Sequence, residues 1–257
     1  MPITTDLIIN ADDLGYSPGV NDAIFGLMEK GLVTSASLMA NAPSVEAACE
    51  RIASFPNCSF GVHLNVTEFR PIKDSPGLES LQDKSGEFVK GRIRRFSVEK
   101  SLEHAIFAEY CLQIEKLHDL GVNVSHIDSH HYVHSNPGMF WVLKRLQKRF
   151  GLRTVRISRN IYGPEDNSGP QVWALKAAYN FLLRNYYRSE TTSGFTDFAT
   201  FCQVAKDKKL RRKSIEVHVH PGATHYADET GLLESDWRDN LQMPVRLVSR
   251  HGASENV

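Results

Sequence analysis

The sequence predicts an α/β protein whose strands form a parallel sheet. Short apolar segments alternate along the chain with longer segments in which apolar residues recur every three or four positions. This is the pattern of strands that are each followed by a helix, and such strands run parallel. The chain has 257 residues, a length that barrels of parallel strands and helices often use as one domain. We therefore expect a single domain over residues 1–257.

Six segments have the composition and length of strands. They are residues 7–10, 33–39, 59–66, 122–128, 154–157 and 214–219. Helical patterns occupy about 18–30, 44–52, 102–120, 137–150 and 171–187. The first helix has the clearest boundaries, because Ser17 can cap it, Pro18 suits its first position and Gly31 can end it. Residues 67–96 contain several prolines and glycines and are predicted to form loops over one end of the fold.

Charge and composition exclude several classes of protein. The 30 lysines and arginines equal the 30 aspartates and glutamates in number, so no net charge favours nucleic acid or an anionic membrane as a partner. No window approaches the roughly 18 apolar residues of a membrane span, and the N-terminus lacks the pattern of a secretion signal. The four cysteines are widely spaced, as buried free thiols of a reducing compartment would be. We therefore expect a cytoplasmic protein without a membrane span.

Candidate functional residues collect at the ends of the predicted strands. Seven of the eleven histidines are found there, namely His63, His126, His130, His131, His134, His218 and His220. The adjacent carboxylates of Asp12 and Asp13 follow the first strand. The carboxyl ends of parallel strands form the active site in α/β folds. The sequence therefore predicts one site at that edge of the sheet.

Each group of candidate residues, when it is taken alone, could also have a purely structural role. Adjacent carboxylates such as Asp12 and Asp13 repel unless a cation or a proton shares them, but such a pair can also cap a helix or form a turn. Ser17 weakens that alternative because it is the better-placed cap. A single histidine in a strand, such as His63, is more often a hydrogen-bonded core residue than a ligand.

The cluster between residues 126 and 134 is stronger evidence for a polar centre. His126, Asp128 and His130 share one face if the chain is still a strand. His130 and His134 share one face if the chain has entered a helix. The sequence leaves both geometries open, and only one or two of these residues need be ligands.

A second pair of histidines closes the last clear strand. His218 and His220 lie two residues apart and therefore share a strand face. Pro221 and Gly222 then turn the chain, as a loop at the mouth of a site would. The alternative for this pair is a solvated strand end.

One carboxylate and two imidazoles can hold a divalent ion and leave coordination positions open for water and substrate. Such an ion acidifies water and polarises a carbonyl oxygen. A nearby carboxylate can then accept the proton of the water, and a histidine can protonate a leaving amine. This inventory suits the hydrolysis of an amide or ester.

One motif suggests a different kind of hydrolase. Gly15-Tyr-Ser-Pro-Gly19 matches the nucleophile elbow of serine hydrolases. However, Pro18 lacks the N–H that the oxyanion hole of that elbow needs.

Four short motifs together resemble the YdjC-like family of carbohydrate deacetylases, which includes the chitooligosaccharide deacetylases. They are Asn10-Ala-Asp-Asp-Leu-Gly15, Gly61-Val-His-Leu64, His126-Ile-Asp-Ser-His-His-Tyr-Val-His134 and His218-Val-His-Pro-Gly222. The resemblance extends from about residue 6 to residue 240. It implies an irregular (β/α) barrel like that of the NodB-type deacetylases, a divalent metal ion and an N-acetylated sugar as substrate.

The resemblance also implies roles for individual residues. Asp13, His63 and His130 match the metal ligands of the family. Asp12 matches the general base, and His220 matches a general acid.

Further residues are assigned to the surroundings of the site. Arg156 resembles the arginine that braces the catalytic aspartate of related deacetylases, although an ordinary surface ion pair is the alternative. The remaining polar residues of the cluster are expected to bind substrate or to support the ligands, and they are Asp128, His131, His134 and His218. Tyr132 stands where many family members have a further histidine, and Leu14 stands where the family often has phenylalanine.

The identity of the ion and the activity each have an alternative. The family resemblance points to Mg²⁺, whereas two imidazoles and one carboxylate suit Zn²⁺ or another transition ion better. A hydrolase of another acyl amide or ester and a non-catalytic, metal-dependent sugar-binding module are the competing hypotheses. The presence of both Asp12 and His220 favours an enzyme, since a binding module needs neither. A homodimer is left open by the sequence.

Overall fold

A parallel sheet forms the centre of the protein. The computed structural model describes residues 4–93 and 96–253, and this part of the chain contains seven strands. They are β1 (Thr5–Leu14), β2 (Ser35–Leu38), β3 (Ser59–Leu64), β4 (Ile127–Ser129), β5 (Gly194–Asp197), β6 (Ser214–Val219) and β7 (Val245–Leu247). Their order is β4-β3-β2-β1-β6-β5, and β7 pairs with the first residues of β1. All the strand pairs are parallel, as the alternation of strands and helices predicts.

Helices connect most of these strands. They are α1 (Pro18–Glu29), α2 (Val45–Ile52), α3 (Lys100–Asp119), α4 (Phe140–Phe150), α5 (Pro170–Asn185), α6 (Phe198–Asp207), α7 (Ala227–Glu234) and α8 (Arg250–Ala253). The predicted cap of α1 is confirmed, because the Ser17 hydroxyl accepts a hydrogen bond from the backbone N–H of Val20. Ser17 therefore starts a helix and is not part of a nucleophile elbow. In the described part of the chain, no helix has both the length and the apolar character to cross a bilayer.

The sheet curls into an irregular barrel. The gap between β4 and β5 is bridged by residues 154–160, which form isolated bridges and not a continuous strand. Ile127 pairs with Val155 on one side of this segment. On the other side, the backbone N–H of Asn160 donates to the carbonyl oxygen of Phe195 at 3.2 Å. The predicted α/β fold with an irregular barrel is confirmed, and residues 154–160 form its least regular wall.

The two faces of the strands have opposite chemistry. In β6, Ile215, Val217 and Val219 join the hydrophobic core, whereas the alternate residues Glu216 and His218 lie among polar groups. Successive side chains of a strand point to opposite faces. The apolar face therefore packs into the core, and the enclosed face of the barrel carries buried polar and charged groups.

Several predicted boundaries were wrong. The first strand continues through Asp12 and Asp13 to Leu14, and the fourth strand contains only residues 127–129 and not 122–128. Residues 122–126 still bond to β3, for example from the N–H of Ser125 to the carbonyl oxygen of Phe60 at 2.8 Å, but they form no regular ladder. Strands β5 and β7 and helices α6, α7 and α8 were not predicted. Strands of three or four residues give too short a pattern to be recognised from periodicity alone.

Candidate metal centre and active site

The two adjacent carboxylates at the end of β1 point in different directions. Asp13 has a φ of 67°, in the left-handed region that residues other than glycine rarely adopt. This conformation sends Asp13 to His63 of β3 and to His130, which directly follows β4, while Asp12 stays on the enclosed face of the strand. Two neighbouring carboxylates can therefore have separate partners and separate roles.

Asp13, His63 and His130 converge on one point. Oδ1 of Asp13 lies 3.2 Å from Nε2 of His63 and 2.9 Å from Nδ1 of His130. Two atoms that each bind one ion at about 2.0–2.2 Å lie about 3.0–3.5 Å apart. The spacing of these three side chains is therefore that of ligands around a metal ion, and the group could hold one.

The carboxylate of Asp13 gives a second indication that this point fits a cation. Its Oδ1 is buried, yet no hydrogen bond of acceptable geometry reaches it despite the two nearby ring nitrogens. A buried carboxylate oxygen that lacks a well-directed hydrogen bond is costly. A divalent ion between the three side chains would satisfy it.

Each histidine of this group holds a second carboxylate with its other ring nitrogen. Nδ1 of His63 lies 2.7 Å from Oδ1 of Asp128, and Nε2 of His130 lies 2.9 Å from Oε2 of Glu68. Such partners fix which ring nitrogen carries the proton and leave the other free to bind a metal. The structure therefore places Asp128 behind His63, among the supporting residues that the sequence analysis proposed.

The charges of the group favour binding of a cation. Burial lowers the pKa of His63, but the carboxylates of Asp128 and Asp13 outweigh burial and raise the pKa to about 10. Burial raises the pKa of Asp13, but His130 and His63 hold it well below its usual range. Protons and a metal ion compete for the same lone pairs, so binding of a metal would release protons.

A second group of possible ligand atoms lies deeper, but its charges are already balanced. Asp12, His63 and Asp128 approach one another closely enough to hold an ion. The guanidinium of Arg156 already lies 2.7 Å from both Asp12 and Asp128. A cation there would be repelled by this permanent positive charge, so the outer group with Asp13 is the better metal site.

Arg156 clamps Asp12 inside the barrel. Its two terminal nitrogens donate to the two carboxylate oxygens of Asp12, each at 2.7 Å. The alternative of a surface ion pair is wrong, because Arg156 is fully buried. Burial raises the pKa of Asp12, but Arg156 and His63 lower it well below its usual value. Asp12 is therefore ionised and fixed in orientation.

The same arginine joins two further carboxylates. Its Nε lies 2.7 Å from Glu216, and one terminal nitrogen lies 2.7 Å from Oδ2 of Asp128. Asp128 also accepts a hydrogen bond of 2.6 Å from the Ser37 hydroxyl, and Glu216 lies 2.5 Å from Arg250. Buried charges persist only when they are paired in this way. The network connects Asp12 to the carboxylate that holds His63.

His220 lies just beyond the end of β6. Its ring stacks on Tyr226 with centroids 4.3 Å apart, and its backbone N–H donates to Glu229 at 2.8 Å. Burial lowers the pKa of His220, but Glu229 and the carboxylates of Asp12 and Asp13 outweigh burial, so the net shift is upward. A raised pKa favours the protonated ring, which is the form that can donate a proton.

His218 has a different environment although it lies only two residues earlier, within β6. Its Nε2 lies 2.7 Å from the hydroxyl of Tyr132, and its Nδ1 lies 3.2 Å from the carbonyl oxygen of Thr196. Burial lowers the pKa of His218. Both ring nitrogens are already engaged and the ring is neutral, so His218 is less suited than His220 to donate a proton.

His131 and His134 lie outside the metal group. Nδ1 of His134 lies 2.7 Å from the Ser129 hydroxyl, and its Nε2 lies 3.2 Å from the carbonyl oxygen of Arg156. Burial lowers the pKa of His134 to about 4. Nδ1 of His131 lies 2.9 Å from the hydroxyl of Thr67. His134 therefore holds the wall that carries Arg156, and His131 contacts the loop after β3.

The conformation of residues 130–134 decides between the strand face and the helix face that the sequence left open. It forms a 3₁₀ segment, His130–Ser135, in which His131 and Tyr132 have φ values of 52° and 57°. These left-handed residues break any regular helical face, so the spacing of four residues does not bring His134 beside His130. His130 instead follows the strand face of Asp128.

Sequence reasoning missed three acidic residues of the site. Glu216 had a usable signal, because it is a charged residue that alternates with His218 in an apolar strand. Glu68 and Glu229 had none, since one follows β3 in an irregular loop and the other lies in a short helix. Their contacts with His130 and His220 depend on the folding of distant segments.

Comparisons with known proteins agree on the family. The YdjC-like protein family model matches residues 6–244. A carbohydrate deacetylase of Geobacillus stearothermophilus is 40% identical over 154 residues, which are 59% of this chain and 60% of that protein. One from Listeria monocytogenes is 35% identical over 231 residues, 87% of this chain and 83% of that protein, and one from Halalkalibacterium halodurans is 29% identical over 98% of both chains.

A solved structure shows the same fold. It is that of a proposed cellobiose-phosphate cleavage protein from Enterococcus faecalis, with a TM-score of 0.78 and 24% identity. The match covers 97% of this chain and 99% of that one. Because the family model spans almost the whole sequence and the Listeria relative aligns over most of both chains, the chain belongs to the YdjC-like family.

Proposed function

We propose that this protein is a metal-dependent deacetylase that hydrolyses the acetamido group of an N-acetylated sugar or oligosaccharide. The observation that carries the proposal is the convergence of Asp13, His63 and His130 on one point beside the clamped carboxylate of Asp12. The relatives named carbohydrate deacetylase support the choice of a sugar as substrate.

The residues of the site divide the chemistry between them. A divalent ion held by Asp13, His63 and His130 would polarise the acetyl carbonyl oxygen and acidify a water molecule. Asp12 accepts a proton from the attacking water, and Arg156 keeps its carboxylate ionised and correctly oriented. The charge on Arg156 lowers the basicity of Asp12, so Asp12 acts as a base only toward an acidified water.

His220 completes the reaction on the side of the leaving group. The oxygen of water forms a bond to the carbonyl carbon, and the carbon–nitrogen bond then breaks. His220 donates its proton to the departing nitrogen, so the products are acetate and the free amino sugar. Tyr226 stacks on the ring of His220, and Glu229 binds the backbone N–H of His220 and lies 3.7 Å from Nδ1 of the ring, so both support His220 for this step.

Two arguments about the identity of the ion give different answers. Two imidazoles and one carboxylate form a donor set that favours Zn²⁺ or another transition ion. The family resemblance favours Mg²⁺. Both ions belong in the test of activity.

The decisive experiment measures the release of acetate from N-acetylglucosamine and its oligomers. We expect release that stops when a chelator removes the metal and returns when Mg²⁺, Mn²⁺ or Zn²⁺ is added. His130→Ala should bind no metal and release no acetate while its circular dichroism spectrum is unchanged. His118→Ala, on α3, is the matched control and should behave as the parent.

Two outcomes would redirect the proposal. Release of acetate from simple esters or other acyl amides but not from amino sugars would support the broader hydrolase. Binding of sugars that depends on metal, without any turnover, would support a binding module.

A further inference from the structure

Glu68 lies beside the proposed metal site although it is not one of the three ligands. Its Oε2 lies 2.9 Å from Nε2 of His130, and its Oε1 accepts a hydrogen bond of 2.7 Å from the hydroxyl of Tyr16. The opposite nitrogen of His130 is the one that faces Asp13, at 2.9 Å. Glu68 therefore touches the side of the histidine that points away from the metal position.

The loop that carries Glu68 is held in place by buried amide groups. The side chain of Asn65 is fully buried, and its Nδ2 donates to the carbonyl oxygen of Glu68 at 2.7 Å. Asn41 donates to the same oxygen at 3.2 Å. The backbone of Asn65 is bound in turn by Gln113 of α3, through its N–H at 2.9 Å and its carbonyl oxygen at 2.6 Å. These bonds fix the backbone of Glu68.

The two histidine ligands are supported in matching ways from opposite sides. Asp128 binds Nδ1 of His63, which leaves Nε2 for the metal position. Glu68 binds Nε2 of His130, which leaves Nδ1 for the metal position. A carboxylate on the outer nitrogen orients the ring and increases its strength as a ligand.

We propose that Glu68 is a positioning residue of the metal centre, which keeps the proton of His130 on Nε2 and directs the lone pair of Nδ1 toward the ion. This proposal rests on the proposed function, because it assumes that Asp13, His63 and His130 bind the metal. Glu68 acts through His130 and contacts no reacting atom.

The competing explanation is that Glu68 only anchors its loop. In that case its removal would lower stability but leave the affinity for metal unchanged. The side chain of Glu68 is about one-third exposed, and ion pairs in such positions contribute little to stability. The affinity for metal in the folded protein therefore separates the two explanations better than the melting temperature does.

The test is calorimetric titration of the metal-free protein with Zn²⁺ and with Mn²⁺. Glu68→Ala should weaken binding about 10–100-fold, the usual effect of losing such a partner. Glu68→Gln should weaken binding less, because its amide oxygen can still accept the hydrogen bond from Nε2. It also preserves the shape of the loop if the alanine variant folds poorly. Glu87→Ala removes an exposed glutamate of the same loop region and should bind as the parent.

A spectroscopic measurement adds a readout that loop anchoring would not affect. Long-range ¹H–¹⁵N spectra of the Zn²⁺-loaded parent should show His130 with its proton on Nε2. In Glu68→Ala that proton resonance should move or vanish through exchange with water. A parent in which Nδ1 of His130 carries the proton would overturn the proposal.

The outcomes distinguish this proposal from the proposed function. If the parent binds metal, His130→Ala does not, and Glu68→Ala binds within twofold of the parent, the metal site stands and the role of Glu68 is wrong. If neither the parent nor any variant binds metal, both proposals fail. Weakened binding in Glu68→Ala, partly restored in Glu68→Gln, supports both.

Discussion

At the scale of single residues, the site separates functions between side chains that are neighbours in sequence. Asp12 and Asp13 are adjacent, yet one is clamped by Arg156 and the other faces two imidazoles. His218 and His220 belong to one strand end, yet their pKa values shift in opposite directions. In both pairs the backbone turns one member to the mouth of the site and the other to its interior.

His220→Ala should lose about 10²–10⁴-fold in kcat, the usual contribution of a general acid, and should still bind metal. The pKa of His220 is raised above its ordinary value of about 6.5. The parent should therefore be active below this pKa and lose activity as the pH rises through it. The variant should lack this alkaline limb in a profile of kcat against pH.

Asp12→Asn and His225→Ala complete that comparison. Asp12→Asn should lose a similar factor in kcat but should keep the alkaline limb. His225 is exposed beside Tyr226, and its replacement by alanine should change neither kcat nor the profile. An alkaline limb that persists in His220→Ala would move the role of acid to His218.

His134→Ala should lower stability and not remove the metal. The variant removes the ring as a partner of the Ser129 hydroxyl and of the carbonyl oxygen of Arg156, although the Ser129 oxygen still accepts from the backbone N–H of residue 134. Each unsatisfied buried group costs about 1–3 kcal/mol. Urea denaturation should show the loss, while titration with metal should show affinity close to that of the parent. Complete loss of metal binding would make His134 a ligand.

At the scale of elements, β3 lies in close contact with the ring of His126 through a glycine. A Cβ atom added to Gly61 of β3 would lie 2.5 Å from Nδ1 of His126. Only glycine leaves room for this ring, which lies beside the strand that carries His63.

Gly61→Ala should therefore destabilise the protein by at least about 1–3 kcal/mol, the usual cost of overpacking. The free energy of unfolding in urea measures the effect. Gly26→Ala is the matched control, because a Cβ at Gly26 in α1 meets no atom within 4 Å. In that helix the same substitution should stabilise the protein by up to about 1 kcal/mol. Equal effects at the two positions would contradict the packing argument.

The elements also show which parts of the site could be predicted from sequence. The rule that parallel strands collect functional residues at their carboxyl ends was sufficient to place Asp13, His63 and His130 at one edge of the sheet, and the family resemblance singled out these three among the polar residues there. Burial of Arg156 could not be predicted, since one charged residue between two apolar ones looks the same on an inner and an outer strand face. The left-handed turn at His131 and Tyr132 could not be predicted either, because tyrosine does not favour this conformation and a single histidine, which adopts it more often, is a weak signal.

At the scale of the whole molecule, the enclosed face of the barrel is an electrostatic network. Arg156 balances Asp12, Asp128 and Glu216, and Arg250 adds a second positive charge beside Glu216. Three strands and the irregular wall meet in these contacts. The network therefore contributes both to the geometry of the site and to the cohesion of the barrel.

Arg156→Met should destabilise the protein by about 3–5 kcal/mol near neutral pH, because it leaves buried carboxylates unpaired. In the parent the pKa values of Asp12 and Asp128 are lowered, so their ionised forms stabilise the fold fully above the ordinary carboxyl range, and this stability is lost as the pH falls from that range to the lowered pKa values. In the variant burial should raise both pKa values, so the difference from the parent should shrink on acidification.

Arg149→Met is the control for that experiment. Arg149 pairs with Glu115 at 2.9 Å, but both side chains are exposed. Loss of such a pair should cost less than about 1 kcal/mol at any pH. Equal losses of unfolding free energy in the two variants would show that the buried network stabilises the protein no more than an exposed ion pair does.

The wall formed by residues 154–160 determines where the barrel can open. It is joined to its neighbours by isolated bridges, whereas β1 is bonded along most of its length to β2 and β6. Segments with few backbone bonds unfold locally at lower free energy than the rest of a domain. Opening of this wall would carry the guanidinium of Arg156 away from Asp12. Mild denaturant should then abolish the proposed release of acetate, with rapid hydrogen exchange at Val155 and Arg156, while the amides of β1 stay protected.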